Sequence, residues 1–429
     1  MSKLFHSLAA LSLLAFLVAC RSGTPGATTG TPRAEASLRP DRSMTLQGQV
    51  LDAAGKPLAG ALVVIRSKAL PTTDIDEPDG RDRFLSTDAT GNFRAELALS
   101  GSAPVMVGAS EWGYGYAEQQ ARAGQPLAFR LETQAMPAVK IVLQAGSRDA
   151  TPMIRFLGLT LLEPGNKPAA TDLIAGREPA WSPDGTQIAF VRDDGLYVSP
   201  WAKPAPHRIL AQAGVSGPRW SPNGSQLIFE REVETFNSEI FRIQADGSGL
   251  QQLTRHPASD SNPAWTPDGR ILFVSNRDAP VEPPRPGVPE PKGSGFYVRT
   301  EVYRMHADGS GPERLTDNGV IDSAPAMSTA GDTIAFLNGG SILSLMAADG
   351  NGIRQLADQN SAFSNAQATV SGTVGGRLNW SRDGKWILAT RRLASNRSDL
   401  FLFSTSDQAL YRLTSSGDVG SADWYQQGD

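Results

Sequence analysis

Short runs of alternating apolar and polar residues, each introduced by an aromatic residue and a turn, recur from about residue 151 onward. In residues 179–198, PAWSPDGTQIAFVRDDGLYV, a tryptophan precedes a Pro-Asp-Gly turn and the alternating run QIAFVR. Proline restricts its own φ and Asp-Gly suits a tight turn, whereas a period of two is typical of a half-buried strand. Close copies are anchored 39, 45, 62, 53 and 44 residues apart, at Trp181, Trp220, Trp265, Met327, Trp380 and Trp424.

Each repeat has enough strand signals for a four-stranded sheet. The alternating run is followed by a third strand such as SEIFRIQ, an Ala-Asp-Gly turn and a short outer strand such as LQQLT. Repeats of this kind are typical of β-propeller blades. The sixth copy stops soon after Trp424, which would leave an unpaired edge. We therefore predict an all-β fold in which residues 151–429 form a six-bladed propeller, closed by pairing the carboxy-terminal strand with strands from residues 153–174.

The repeats resemble the β-propeller repeat family named for TolB, a periplasmic component of the Tol-Pal envelope system. The shared pattern is Trp-Ser/Thr-Pro-Asp/Asn-Gly, an alternating strand, and Ala-Asp-Gly-Ser-Gly followed by Leu-Thr. Met327 in place of tryptophan and Arg382 in place of proline depart from it. The resemblance implies a propeller fold. TolB has a different α/β amino-terminal domain and is not normally lipidated, so its partners Pal and TolA are only the first candidates to test.

Residues 44–145 have a second pattern, with about six or seven short strands separated by glycine-bearing turns. The stretches GQVLDAAGKPLAGALV and STDATGNFRAEL show it best. This number of strands in about 100 residues is expected of a small β-sandwich. The arrangement resembles the carboxypeptidase regulatory-like domain, which implies a transthyretin-like or immunoglobulin-like β-sandwich over residues 44–145.

Residues 1–19 are predicted to be a lipoprotein signal peptide. Lys3 precedes an apolar run from Leu8 to Ala19 that is too short to cross a bilayer, and Leu-Val-Ala-Cys closes it. That ending resembles the lipobox of bacterial lipoproteins, which implies acylation of Cys20 and a membrane anchor. An ordinary signal peptide beside a chance cysteine is the alternative. Arg21 rather than aspartate after the cysteine favours the outer membrane in a Gram-negative cell, and residues 20–43 predict a flexible tether.

Composition and motifs argue against several classes of function. The net charge of -4 provides no basic excess for a nucleic-acid backbone. Cys20 is the only cysteine, and the sequence lacks the nucleophile-elbow, phosphate-loop and zinc-helix motifs. Asp246, Asp308 and Asp349 lie in Asp-Gly-x-Gly turns without the ligand spacing of a calcium loop, so turn chemistry explains them better. We predict no cofactor and no obligatory metal.

The residues just before each anchor are the predicted ligand contacts, because loops that enter the innermost strands surround one mouth of a propeller. They combine groups that suit a polar peptide: Arg177, Glu178, Ser216, Asp260, Asn262, Asp322, Ser323, Arg377 and Ser421. For any single one, a solvated loop residue without a partner is the alternative. We predict a non-enzymatic, membrane-anchored cell-envelope protein that binds a protein or peptide. The alternative is a propeller hydrolase or lyase that uses channel carboxylates such as Asp260 and Asp322 on a peptide or sugar.

Overall fold

The computed structural model describes residues 40, 42–67, 83–100, 102–134, 139–146, 152–159, 171–234, 237–278, 299–339, 342–356, 377–394, 397–406 and 409–426. Every regular element in these ranges is a β-strand, which confirms the all-β prediction. Within the same ranges there is no helix of the length and apolarity that a membrane span needs. The predicted signal peptide, Cys20 and nearly all of the predicted tether lie outside the described residues.

Seven strands before residue 132 form two sheets that share one hydrophobic core. The first sheet has the order β4-β1-β7 and the second the order β3-β2-β5-β6. The strands are β1 (Arg42–Asp52), β2 (Leu62–Arg66), β3 (Arg83–Ser86), β4 (Asn92–Leu99), β5 (Met106–Ser110), β6 (Tyr116–Gln120) and β7 (Leu127–Leu131). Burial alternates along β7, so that Leu127, Phe129 and Leu131 face the shared core while Ala128 and Arg130 face outward.

Five further four-stranded sheets follow one another along the chain, each with an anchor at the end of its first strand. Repeat sheet 1 consists of β11 (Arg177–Trp181), β12 (Gln187–Arg192), β13 (Gly195–Pro200) and β14 (His207–Leu210). Repeat sheet 2 consists of β15 (Val215–Trp220), β16 (Gln226–Glu234), β17 (Asn237–Gln244) and β18 (Gln251–Gln252), and repeat sheet 3 of β19 (Asp260–Trp265), β20 (Ile271–Ser275), β21 (Glu301–Met305) and β22 (Glu313–Arg314). Repeat sheet 4 consists of β23 (Ser323–Met327), β24 (Thr333–Asn338), β25 (Ile342–Ala347) and β26 (Arg354–Gln355), and repeat sheet 5 of β27 (Leu378–Trp380), β28 (Trp386–Ala394), β29 (Arg397–Ser404) and β30 (Leu410–Arg412).

One more sheet joins distant parts of the chain. This closing sheet has the order β10-β9-β8-β31 and contains β8 (Val139–Ala145), β9 (Met153–Leu159), β10 (Thr171–Ala175) and β31 (Val419–Gln426). Trp424 pairs with Ile141, so the direct partner of the carboxy-terminal strand is β8, and the strands from residues 153–174 lie farther out in the same sheet. The sequence analysis had placed residues 139–145 in the first unit. Their pattern reads as one more strand there, because pairing with a distant strand leaves no local signal.

The first strands of these sheets lie side by side. β31 contacts β11, and the sequence of contacts continues through β15, β19, β23 and β27, while β31 also contacts β28 of repeat sheet 5. Indole N–H groups join successive first strands, since Trp220 Nε1 donates to the Ala180 carbonyl at 3.1 Å and Trp424 Nε1 donates to the Trp380 carbonyl at 2.9 Å. Trp220, Trp380 and Trp424 therefore tie neighbouring sheets together.

The turn after each anchor is held by its own polar side chains. In repeat sheet 1, Asp184 Oδ1 accepts a hydrogen bond from Ser182 Oγ at 2.5 Å, and Ser182 Oγ accepts one from the Gln187 N–H at 2.9 Å. Ser381 and Asp383 make the same contact at 2.6 Å in repeat sheet 5. The opening motif of the sequence analysis is thus a structural unit that sets up the next strand.

The outer face of the second sheet of the first unit packs on repeat sheet 5. Leu62 and Val64 share a buried cluster with Phe401, and the rings of Phe84 and Phe401 lie 6.0 Å apart. Ser110 Oγ donates to the Leu410 carbonyl at 2.5 Å. The two parts of the chain therefore share a buried apolar interface.

Candidate functional site: the polar ring

The first strands share an unusual backbone conformation three residues before their anchors. Glu178, Asn262 and Ala324 have φ values of 53°, 51° and 51°, and Gly217 has a φ of 63°. Non-glycine residues seldom adopt this left-handed region, and such residues often occur at functional sites. In each of these four strands the pairing register shifts at this point. The bulge re-aims the backbone N–H group away from its own sheet.

Each of these N–H groups donates a hydrogen bond to a side-chain oxygen of the neighbouring sheet that comes earlier in the chain. The four hydrogen bonds run from Glu178 N to Gln144 Oε1 at 3.2 Å, from Gly217 N to Glu178 Oε2 at 2.5 Å, from Asn262 N to Glu230 Oε2 at 2.6 Å, and from Ala324 N to Asn262 Oδ1 at 3.0 Å. These bonds link the closing sheet and repeat sheets 1 to 4 in order. We call this set of contacts, together with the charged residues described next, the polar ring.

Two arginines reach across the polar ring. Arg377 Nη1 donates to the Pro179 carbonyl at 3.1 Å, and Arg219 Nη1 donates to Asn379 Oδ1 at 2.7 Å. Arg377 Nη2 lies 3.9 Å from Glu178 Oε2 and has no hydrogen-bond partner among the described residues. Repeat sheet 5 is thereby tied to repeat sheets 1 and 2.

Burial dominates the electrostatics of the two guanidiniums. It lowers the pKa of Arg219 to about 9, and repulsion from Arg377 adds to this effect, whereas Asp423 and Glu178 oppose it. Burial also lowers the pKa of Arg377, against the attraction of Glu178, Asp423 and Glu230. A desolvated guanidinium interacts with charge far more strongly than an exposed one, because water screens it less. The arrangement is suited to binding a polar or charged group.

Two carboxylates of the polar ring are also strongly desolvated. Burial raises the pKa of Glu230, although its hydrogen bonds with Asn262 and Ser216 act in the opposite direction. Burial raises the pKa of Asp423 as well, opposed by Arg219 and by the Trp181 N–H, which donates to Asp423 Oδ2 at 2.8 Å. Perturbed groups of opposite charge collected in one place are typical of binding sites, although structural ion-pair networks produce them too.

Five of the predicted contact residues join this network. Glu178, Asn262 and Arg377 make the contacts given above; Ser216 Oγ donates to Glu230 Oε1 at 3.0 Å, and Ser421 Oγ lies 3.5 Å from Gln144 Oε1.

The other four predicted contact residues have local partners or are fully enclosed. Arg177 Nη1 pairs with Asp193 at 2.5 Å, and Asp260 Oδ2 pairs with Arg277 Nη2 at 2.7 Å. Asp322 accepts a hydrogen bond from Asn318 Nδ2 at 2.9 Å. Ser323 is buried, and its Oγ has no partner among the described residues. The structure therefore divides the predicted set into a connected group and separate, locally held residues.

Sequence reasoning missed Gln144, Arg219, Glu230, Asn379 and Asp423. For three of them a signal was present, because the residue directly before the anchor is alanine in three repeats, at Ala180, Ala264 and Ala326, and is Arg219, Asn379 or Asp423 in the other three. A charge or amide at a position that otherwise carries a methyl group indicates a specific role. Gln144 and Glu230 lie on second strands and gave no comparable signal.

The Asp-Gly-x-Gly turns have ordinary turn chemistry. Asp308 Oδ1 accepts hydrogen bonds from the N–H and hydroxyl groups of Ser310 at 2.9 and 2.7 Å, and Asp246 has the same contacts with Ser248. These bonds lower the pKa of both carboxyls. In the part of the chain that the structure describes, no group of three or more His, Cys, Asp or Glu residues has the arrangement of a metal site.

Part of the chain matches a known family. Residues 173–281, which include repeat sheets 1 and 2, match the model described as the TolB beta propeller domain. The Tol-Pal system protein TolB of Bordetella pertussis is 42% identical over 105 residues, which is 23% of this chain and 24% of that protein. The match thus spans about a quarter of the length of this curated relative.

Two solved structures are similar to part of this chain. TolB from Acinetobacter baumannii is 18% identical, with a TM-score of 0.49 over 66% of each chain. A putative TolB from Agrobacterium tumefaciens is 16% identical, with a TM-score of 0.46 over 69% of this chain and 100% of that one. On the sequence matches, residues 173–281 are similar to part of a TolB beta propeller domain.

Proposed function

We propose that this chain is a non-enzymatic cell-envelope protein that binds a protein or peptide over the polar ring. The observation that carries the proposal is the convergence of buried, oppositely charged side chains where the first strands begin, with Arg377 Nη2 left without a hydrogen-bond partner among the described residues. Buried charges of this kind act strongly on the polar backbone and charged side chains of a partner that covers the ring, because water screens them little. The TolB-like match supports a place in the cell envelope.

The proposal includes a particular architecture. The closing sheet and the five repeat sheets are the blades of a six-bladed propeller, and the two sheets built from β1 to β7 are a transthyretin-like or immunoglobulin-like β-sandwich. The contacts of β31 with both β11 and β28 support ring closure. Because β8 pairs with β31, we place the boundary between the two domains between Leu131 and Val139.

The proposal also includes lipid anchoring at Cys20 and attachment to the outer membrane. It is supported by the Leu-Val-Ala-Cys ending and by Arg21. An acylated amino terminus followed by a tether would hold the polar ring within reach of partners near the membrane. Pal and TolA are the first proteins to test.

The enzymatic alternative is not favoured by the contacts of its two carboxylates. Asp260 is held by Arg277, and its side chain is fully buried. Asp322 is also fully buried. A general acid or base must come within hydrogen-bond reach of its substrate.

Site-specific photo-crosslinking tests the binding surface. Ile321 lies in the loop that enters β23. Ile353 precedes β26 and lies at the opposite end of the strands of the same sheet, because β25 runs parallel to β23 and β26 starts where β25 ends. Their exposed fractions are 37% and 42%. A photoreactive residue is placed in cells at position 321 or at position 353. We expect a defined crosslinked adduct from position 321 and none from position 353.

Equal crosslinking at both positions, or adducts only at Ile353, would contradict the proposal. The same cells test the anchor. The unaltered chain should be recovered in the membrane fraction, and Cys20→Ala should leave it unacylated and soluble. A chain that stays membrane-bound after Cys20→Ala would rule out anchoring through this residue.

A further inference from the structure

Two seams between repeat sheets enclose a pair of buried carboxylates. Between repeat sheets 2 and 3 the pair is Glu239 and Asp260, and between repeat sheets 3 and 4 it is Glu301 and Asp322. In both pairs the first residue belongs to the third strand of one sheet and the second lies at the start of the next sheet. All four residues are at most 4% exposed.

In each seam one guanidinium binds one of the two carboxylates. Arg277 binds Asp260 in the first seam at 2.7 Å, whereas Arg314 binds Glu301 in the second at 3.0 Å. Ile271 and Ile334 occupy equivalent positions, because each pairs with the anchor residue of its own sheet. Six residues later the sequence has Arg277 in the first case and Gly340 in the second. Among the described residues no cation pairs with Asp322, and glycine stands in the sequence at the position equivalent to Arg277.

Among the described residues, Arg299 has its guanidinium near Gly319 in the loop before Asp322 but makes no ion pair with Asp322. β24 has the sequence TIAFLN and β27 the sequence LNW, so neither contributes a charge. On β19, Asp260 is already paired with Arg277. Arg314 is shared between Glu301 and Asp317. Asp322 Oδ2 accepts from Asn318, and Oδ1 has no hydrogen-bond partner among the described residues.

We infer that Asp322 is a proton-binding group that makes the seam between repeat sheets 3 and 4 sensitive to pH. An unpaired carboxylate buried beside a second carboxylate is stabilised by taking up a proton. The seam leads through Ser323 directly into Ala324, whose N–H group belongs to the polar ring. Proton loss from Asp322 therefore loosens this part of the ring. The inference holds whether or not the ring binds a peptide.

The electrostatics agree with this assignment. Burial, with a smaller contribution from the charge of Glu301, raises the pKa of Asp322 from 3.8 to about 7, against the opposing effect of hydrogen bonds with Thr316 and Asn318. A carboxyl whose pKa is raised on folding stabilises the fold fully below its unfolded value. This contribution is lost as the pH rises toward the folded value. The pH range of interest is thus from about 4 to about 7.

Hydrogen exchange of the full chain, followed by mass spectrometry from pH 4.5 to 8, tests the inference. After correction for intrinsic exchange, the opening equilibrium of residues 323–327 should rise with pH, by at most about tenfold per unit, and level off above pH 7. Asp322→Asn should remove this dependence because an amide does not titrate. Asp308→Asn, an exposed turn residue outside the seam, should retain it.

The inference would be overturned if the opening equilibrium of residues 323–327 did not change with pH in the unaltered chain. It would also be overturned if Asp322→Asn kept the same pH dependence of this equilibrium. If that variant fails to fold, carbon-13 titration of aspartate carboxyls in the unaltered chain decides. A midpoint near 7 for the signal assigned to Asp322, rather than to Asp423, supports the inference, and a midpoint near 4 for that signal contradicts it.

Discussion

Arg377 illustrates how much of the chemistry of this protein depends on single side chains at the centre of the ring. Its guanidinium is 6% exposed and lies among Glu178, Glu230 and Asp423. Removal of one partner from a buried set of charges is costly, because the remaining charges lose their compensation while they stay desolvated. The residue therefore contributes to stability as well as to the proposed binding surface.

We expect Arg377→Ala to lower the free energy of unfolding by about 3–5 kcal/mol. The loss should be smaller at pH 5 than at pH 8, because burial raises the pKa values of Glu230 and Asp423 and protonation removes their uncompensated charge. Denaturant unfolding at both pH values measures this. Arg382→Ala, an exposed substitution in the turn after Trp380, should change stability by less than about 0.5 kcal/mol. Equal losses for the two variants would contradict the assigned role.

At this scale, sequence patterns predicted part of the site. Glu178, Asn262 and Arg377 were found because the position before an anchor is fixed by the repeat. Arg219 and Asp423 were missed although each stands where three other repeats have alanine, because a strand pattern does not tell which side chains of different sheets meet. Gln144 could not be assigned at all while its strand was placed in the first unit.

The first glycine of each Asp-Gly-x-Gly turn lies where two neighbouring sheets approach closely. A Cβ atom on Gly309 would lie 2.3 Å from the Leu253 carbonyl oxygen, and one on Gly350 would lie 2.4 Å from the Leu315 carbonyl oxygen. Each of these turns therefore packs against the end of the outer strand of the preceding sheet. The repeated glycine is therefore needed for two reasons. It lets neighbouring sheets approach closely, and it adopts a positive φ, of 87° at Gly309 and 86° at Gly350.

We expect Gly309→Ala to cost about 1–3 kcal/mol more than Gly269→Ala. Gly269 has a similar φ of 82°, but a Cβ atom there would meet nothing within 4 Å. Gly269→Ala thus introduces a similar backbone strain without a steric clash of the added Cβ atom. Thermal or denaturant unfolding of both variants measures the difference. Similar costs would mean that the sheets separate easily at this turn.

Sequence reasoning predicted the strands of the repeats well, because their alternation, turns and anchors agree with one another. It included residues 139–145 in the first unit, whereas β8 pairs with β31, because the apolar pattern of these residues is the same whichever sheet receives the strand.

At the scale of the whole molecule, pairing of β8 with β31 connects the end of the first unit with the carboxy-terminal strand. Ile141 and Trp424 occupy the same buried cluster and are direct partners in the ladder. Contacts between residues so far apart in sequence are expensive in chain entropy until neighbouring sheets are formed.

A double-mutant cycle tests this connection. Ile141→Val and Trp424→Phe should show a coupling free energy of at least about 0.5 kcal/mol, because the two side chains are in contact. Ile141→Val and Trp220→Phe, which lie in different clusters, should be additive. Unfolding free energies of the single and double variants provide the measurement. Additivity in both pairs would mean that the closing sheet does not form as described.

Pairing between β8 and β31 also affects how the chain is made. During synthesis β8 leaves the ribosome long before β31, and the edge that β31 will cover stays open while the repeat sheets are translated. An open edge is a template for aggregation. Factors that hold nascent or newly exported chains would therefore be needed most in this interval, and β8 is where we expect them to bind.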